Sequence, residues 1–387
     1  MTFEYADRIK RLPPYLFAEI EKTIKEKKAQ GIDLISLSIG DPDLPPPPFI
    51  VEALKQEVAD LKNHNYSFSQ GEPDFRQAVS EWYKKRFNVD LQHDQVVALL
   101  GSKEGIANIA RAFVNPGDNV LVPDPAYPVY ANGSTILCDG KAVPMPLLEE
   151  NNFQPDFDAI DVANAKMMFI NYPNNPTAST VDKKFLKQVV DFAKDNNIIL
   201  CYDNAYSEIT YAGYRAPSIL ELDGAMDVAI EFHSLSKTFN MTGDRIGFAV
   251  GNKMLVAGLT KVKSQIDSGP PVYTQKAAVK ALASYTNAEA PEFLKKNNQI
   301  LQERRDLLVD TLCKIGYQCE KPKATFYVWV NCRGDSMKFT AKLLDAGVAV
   351  TPGVGFGKYG EGYARITFTQ PKERIAEACK RIAAAFN

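Results

Sequence analysis

Six short apolar segments punctuate the middle of this chain: Val96–Leu100, Val120–Val122, Met167–Ile170, Ile198–Tyr202, Val228–Phe232 and Ile246–Val250. Between them, Phe75, Val79, Trp82 and Arg86 recur at helical spacing, as do Leu186, Val189, Val190 and Ala193. A strand that is apolar at every position has both faces covered. The alternation therefore predicts an α/β fold with a mostly parallel sheet flanked by helices.

With 387 residues, the chain has room for two domains. We read 46–284 as the large one. Beyond it the pattern changes: Phe326–Val330, Val348–Thr351 and Arg365–Phe368 read as short strands. A terminal helix carries Ile375, Cys379, Ile382 and Phe386 on one face. At the other end, a helix-like stretch from Pro14 to Lys28 leads to Leu34–Gly40 and then to a proline-rich run, Asp41–Pro48, which excludes regular structure. Residues 1–45 with 285–387 are expected to form a smaller α+β domain.

The 45 basic and 47 acidic residues nearly cancel, so no field points to nucleic acid or an anionic membrane. No apolar run approaches the ~20 residues of a membrane span, and the N-terminus has no apolar leader, so we expect a cytoplasmic protein. The six cysteines show no Cys-x-x-Cys pair and read as reduced thiols, with no metal site expected. Only three histidines are present, which makes a lysine the better candidate for a proton carrier.

The block Ser234-Leu-Ser-Lys-Thr-Phe-Asn-Met-Thr-Gly-Asp-Arg-Ile-Gly247 supplies one. It places Ser234, Ser236, Lys237 and Arg245 where a strand ends. A lysine among apolar neighbours and near an arginine has a depressed pKa and can attack a carbonyl as a free amine. The hydroxyls and the guanidinium suit a phosphate. An aldehyde that also carries a phosphate is pyridoxal phosphate.

The spacing Ser-x-Ser-Lys-x₇-Arg-x-Gly resembles the cofactor-lysine signature of class I/II aminotransferases, the fold-type I pyridoxal phosphate enzymes. Further motifs follow in that family's order. Asp203 ends an apolar strand; by its position alone it is better read as a cap of the next helix, but the resemblance makes it the partner of the pyridine nitrogen, with Tyr206 on the ring oxygen. Asn171-Tyr-Pro-Asn-Asn-Pro-Thr177 resembles the family's Asn-Pro-x-Asn-Pro-Thr-Gly loop, in which Asn175 also meets that oxygen. Ala178 stands where the family has glycine, and Tyr172 where proline is common. Gly101-Ser-Lys-Glu-Gly105 opens a helix and offers backbone N–H groups to an anion; the resemblance gives Ser102 and Lys103 to the cofactor phosphate. It stacks Tyr127 on the ring, closes Gly40 and Arg365 on the substrate α-carboxylate, and sends Tyr66 across an interface to a neighbour's phosphate. The last match implies a homodimer with shared sites.

The resemblance implies a ping-pong aminotransferase in which Lys237 moves the α-proton, with amino acids and 2-oxo acids as substrates. The motifs look most like the LL-diaminopimelate aminotransferase branch, which serves lysine biosynthesis with 2-oxoglutarate as acceptor. Two departures stand out. Asp244 replaces the branch's usual tryptophan beside Arg245. Ser69 replaces a glutamate that some members use on the substrate's distal ammonium, and Glu72 is a candidate substitute. An aspartate, alanine or aromatic aminotransferase, or a pyridoxal phosphate β-lyase, would use the same cofactor residues. The regulators that fuse such a domain to a DNA-binding module need a basic N-terminal extension, which this chain lacks.

Overall fold

In the computed structural model, which describes residues 2–386, all six apolar segments become strands of one sheet. The strands in chain order are β1 (Ile35–Ser36), β2 (Val96–Leu99), β3 (Asn119–Asp124), β4 (Lys141–Pro146), β5 (Ala165–Asn171) and β6 (Ile199–Asp203). They continue with β7 (Ala229–Ser234), β8 (Gly247–Gly251), β9 (Tyr327–Asn331), β10 (Val348–Ala349), β11 (Thr351–Pro352) and β12 (Tyr363–Thr367). The large sheet runs in the order β2-β8-β7-β6-β5-β3-β4, and only β8 is antiparallel to its neighbours.

Its continuous apolar strands are buried on both faces, as the pattern predicts. Met168 and Ile170 of β5 face one apolar core, while Met167 and Phe169 face another. On the first side the helix Pro73–Phe87 buries Phe75, Val79 and Trp82, and Lys183–Asp195 buries Leu186, Val189, Val190 and Ala193. Arg86 is buried too, because its Nε meets Glu208 at 3.0 Å. The strand not foreseen is β4. It pairs only with β3 at the sheet edge and carries Pro144 and Pro146, which an edge tolerates because no ladder N–H is needed on its open side.

A second, antiparallel sheet has the order β11-β12-β9. Here the sequence reading needs two corrections. Val348–Thr351 is split into β10 and β11, and β12 begins at Tyr363, so Arg365 lies mid-strand, opposite Trp329 and Thr351. The N-terminal stretch joins these late strands: β1 pairs in parallel with β10, and Thr367 N–H donates to the Leu37 carbonyl at 2.8 Å. The chain from Ser38 to Gly40 is thereby carried to the mouth of the large sheet. Among the described residues no helix is long and apolar enough to cross a membrane.

The helix Ser102–Phe113 is fixed by a buried charge cluster. The fully buried Lys263 ammonium donates to Glu104 at 2.7 Å and to Asp267 at 3.1 Å, while Glu104 also accepts from Leu100 N–H at 3.2 Å. Lys263→Met would leave the two carboxylates facing each other without their cation. It should cost about 3–5 kcal/mol, measured as a lower urea unfolding midpoint; an unchanged midpoint would contradict this account.

Candidate active site

Parallel register brings the polar strand ends together. Asn171, last in β5, pairs with Asp203, last in β6, and Asp203 pairs in turn with Phe232 of β7. Beyond these ends lies a cleft of about 290 Å³. Lys237, Asp203, Tyr206, Asn175, Tyr127, Ser102, Lys103, Ser234, Ser236, Arg245, Gly40 and Arg365 all line it. Of the residues expected at the site, only Tyr66 is absent from this lining; it is 92% exposed on a loop of the same chain.

Lys237 sits on the short helical turn after β7, partly buried, and its amine donates to the Gly40 carbonyl at 3.0 Å. Loss of hydration in the cleft, with help from the charges of Arg245 and Arg365 and against that of Asp41, brings its pKa down to about 8. Asp203 is buried at the opposite wall, and burial pushes its carboxyl up to about 6. The Tyr130 hydroxyl at 2.7 Å and the Ala205 N–H at 3.3 Å oppose that rise. Asp203 therefore ends its strand facing the cleft and caps no helix.

The helix Ser102–Phe113 opens toward the cleft with no side chain capping its first turn. Gly101 has φ +81°, and a Cβ there would lie 2.5 Å from the Arg245 guanidinium. A Cβ on Gly247 would lie 3.0 Å from the Ser102 nitrogen. The glycines thus keep a cradle open among N–H groups, serine hydroxyls and a guanidinium. Arg245 has φ +53°, a left-handed backbone that costs an arginine on the order of 1 kcal/mol or more. Its guanidinium donates to the Thr242 and Leu100 carbonyls and makes no ion pair with Asp244 among the described residues. The Ser234 oxygen accepts from Ser236 N–H at 3.2 Å and so caps the turn that carries Lys237.

Arg365 is almost fully buried. It donates to Asn175 Oδ1 and to the Ser38 carbonyl, each at 2.7 Å, and its guanidinium carbon lies 4.4 Å from the Tyr327 ring centre and 4.7 Å from that of Phe356. Tyr206 shares a 2.8 Å hydrogen bond with Tyr327. Gly40 is required here because a Cβ would lie 2.1 Å from the Tyr327 hydroxyl. Ala178 adopts φ +59°, so the alanine carries a strain that the family's glycine avoids. Glu72 is engaged elsewhere, accepting from Phe68 N–H at 3.3 Å, and neither it nor Ser69 lines the cleft.

Sequence reasoning missed Tyr130, Tyr327, Tyr15 and Glu21, all of which line the cleft. Tyr130 had a signal, since it follows Tyr127 by one helical turn. The others come from the N-terminal helix Leu16–Ala29, the residue preceding it, and β9.

An aldehyde-bearing phosphate ester fits this cleft. A lysine with a lowered pKa shares the cleft with an anion cradle and with the buried Asp203 carboxylate, whose charge suits a cationic ring.

Comparison with known proteins agrees. The model of the family "Aminotransferase class I and II" matches residues 32–382. An LL-diaminopimelate aminotransferase of Desulforudis audaxviator is 51% identical, covering 99% of this chain and 98% of that protein. One from Aquifex aeolicus is 52% identical, covering 98% of each. Among solved structures, substrate-bound BacF from Bacillus subtilis superimposes with a TM-score of 0.92 at 36% identity, covering 99% of this chain and 98% of that one. A Thermus thermophilus aspartate aminotransferase double mutant gives a TM-score of 0.92 at 27% identity, covering 99% of this chain and all of its own. On these matches, and with a cleft that suits the cofactor, the chain belongs to the class I and II aminotransferases and is a pyridoxal-phosphate-dependent transferase of fold type I.

Proposed function

We propose that this aminotransferase moves the α-amino group of LL-2,6-diaminopimelate to 2-oxoglutarate in two half-reactions. The observation that carries the substrate is the likeness, over nearly the whole chain, to proteins named LL-diaminopimelate aminotransferase.

Pyridoxal phosphate, when bound, supplies an aldehyde for amine exchange and a ring that accepts the charge left by a departing α-proton. In our reading the chain does the rest. Arg245, Ser102, Lys103, Ser234 and Ser236 hold the phosphate, and Tyr127 flanks the ring. Asp203 keeps the ring nitrogen protonated, held in place by Tyr130. Tyr206 and Asn175 serve the ring oxygen. Arg365, aimed by Ser38 and Asn175 and closed over by Gly40, grips the substrate α-carboxylate with its rigid fork. The Lys237 amine, once free, removes the α-proton and returns it one position along. Tyr66 is exposed and does not line its own cleft, which suits a homodimer in which it completes the neighbour's phosphate site. A cytoplasmic setting, and the division into 46–284 and 1–45 with 285–387, complete the proposal.

An absorbance spectrum tests the substrate. LL-diaminopimelate should bleach the near-visible cofactor band, and 2-oxoglutarate should restore it. Bleaching by aspartate alone would overturn the donor, and pyruvate release without an oxo-acid acceptor would make the protein a lyase.

Lys237→Ala should abolish steady-state turnover, whereas Asp203→Asn should keep the cofactor but slow turnover by roughly 10²-fold or more, because the variant loses the charge facing the ring nitrogen. Equal kcat for Asp203→Asn and the wild type would remove Asp203 from the mechanism.

The lowered pKa of Lys237 sets a pH dependence. Its amine is protonated and inert below its pKa and free above it. Uptake of pyridoxal phosphate by cofactor-free protein should therefore accelerate as pH rises through about 8 and then level off. A midpoint near the ordinary 10.5 would contradict the desolvated setting.

A further inference from the structure

Two carboxylates line the cleft, and the chemistry above uses one of them. Asp203 forms the wall, buried and held by Tyr130. The other is Glu21, on the exposed side of the helix Leu16–Ala29. Among the described residues its carboxylate has no ion pair or hydrogen bond. Around the same mouth, Lys103 places its ammonium 5.4 Å from the Tyr15 ring centre and 5.7 Å from that of Tyr127, and it too makes no ion pair among the described residues. Lys103 is the cation given above to the cofactor phosphate, so Glu21 is a cleft carboxylate left with no counter-ion among the described residues.

LL-2,6-diaminopimelate matches that pattern. Its far end is a second amino-acid head, with an ammonium and a carboxylate, and a site that selects it over shorter amino acids must meet both charges. Ser69 has no carboxylate to offer the ammonium, and Glu72 accepts from Phe68 N–H at 3.3 Å. Resting on the substrate reading above, we propose that Glu21 is the specificity-determining residue that receives the distal ammonium, delivered to the cleft by the N-terminal helix.

The test compares holoenzyme of wild type and Glu21→Gln in the amino-donor half-reaction, followed by bleaching of the cofactor band. The donors are LL-diaminopimelate and L-glutamate, which has no distal ammonium. An exposed charge pair contributes modestly and a partly enclosed one more, so the apparent second-order rate constant for diaminopimelate should fall about fivefold or more. The loss should appear mainly in the half-saturating concentration. The value for glutamate should hold or rise, and Glu21→Asp should recover part of the loss. An equal change for both donors, or none for diaminopimelate, would overturn the role of Glu21 while leaving the substrate intact. A wild type that ignores diaminopimelate would sink the substrate reading and this inference with it.

Discussion

The cleft depends first on the parallel register that sets the end of β5 beside the end of β6. Because the strands run the same way and stop together, Asn171 and Asp203 emerge at one edge, with Ser234 close by at the end of β7. Asn171 then ties the edge together, donating to the Asp203 carbonyl at 2.8 Å and accepting from Asn175 N–H at 2.9 Å. A one-residue slip would turn Asp203 into the sheet and Tyr202 toward the cleft. The two apolar cores on either face oppose such a slip, since it would exchange every side chain between them.

Much of this was legible because burial on both faces leaves a simple signature. The six continuous apolar runs were visible for that reason, and β4 was not, since an edge strand with two prolines carries no such run. Motif spacing pointed to residues that line one cleft because each sits where an element ends, and chain direction changes are marked by glycine, proline and asparagine. Tyr130 and Tyr327 were hidden for a different reason. Their importance comes from hydrogen bonds to Asp203 and Tyr206, residues 73 and 121 positions away in the chain. Glu21 looks like any solvated glutamate on an amphipathic helix, and only the placement of that helix gives it meaning.

Arg365 shows how neutral groups help to accommodate a buried cation. Two carbonyl-type oxygens and two aromatic faces lie against it, which softens the loss of hydration. The Asp43 carboxylate is kept elsewhere, in a two-point pair with Arg304 at 2.7 and 2.9 Å.

The three residues Ser38 to Gly40 give the cleft a mechanical property. Their backbone supplies an oxygen to Arg365 through Ser38 and another to Lys237 through Gly40. The same stretch is laced to the late strands through Leu37 and through the Thr351 hydroxyl, which donates to the Ser38 carbonyl at 2.9 Å. One short length of chain thus serves as a common tether for the Arg365 guanidinium and the Lys237 amine. A shift of the late strands against the large sheet would be felt at both groups together, so the cleft tightens or loosens as a unit.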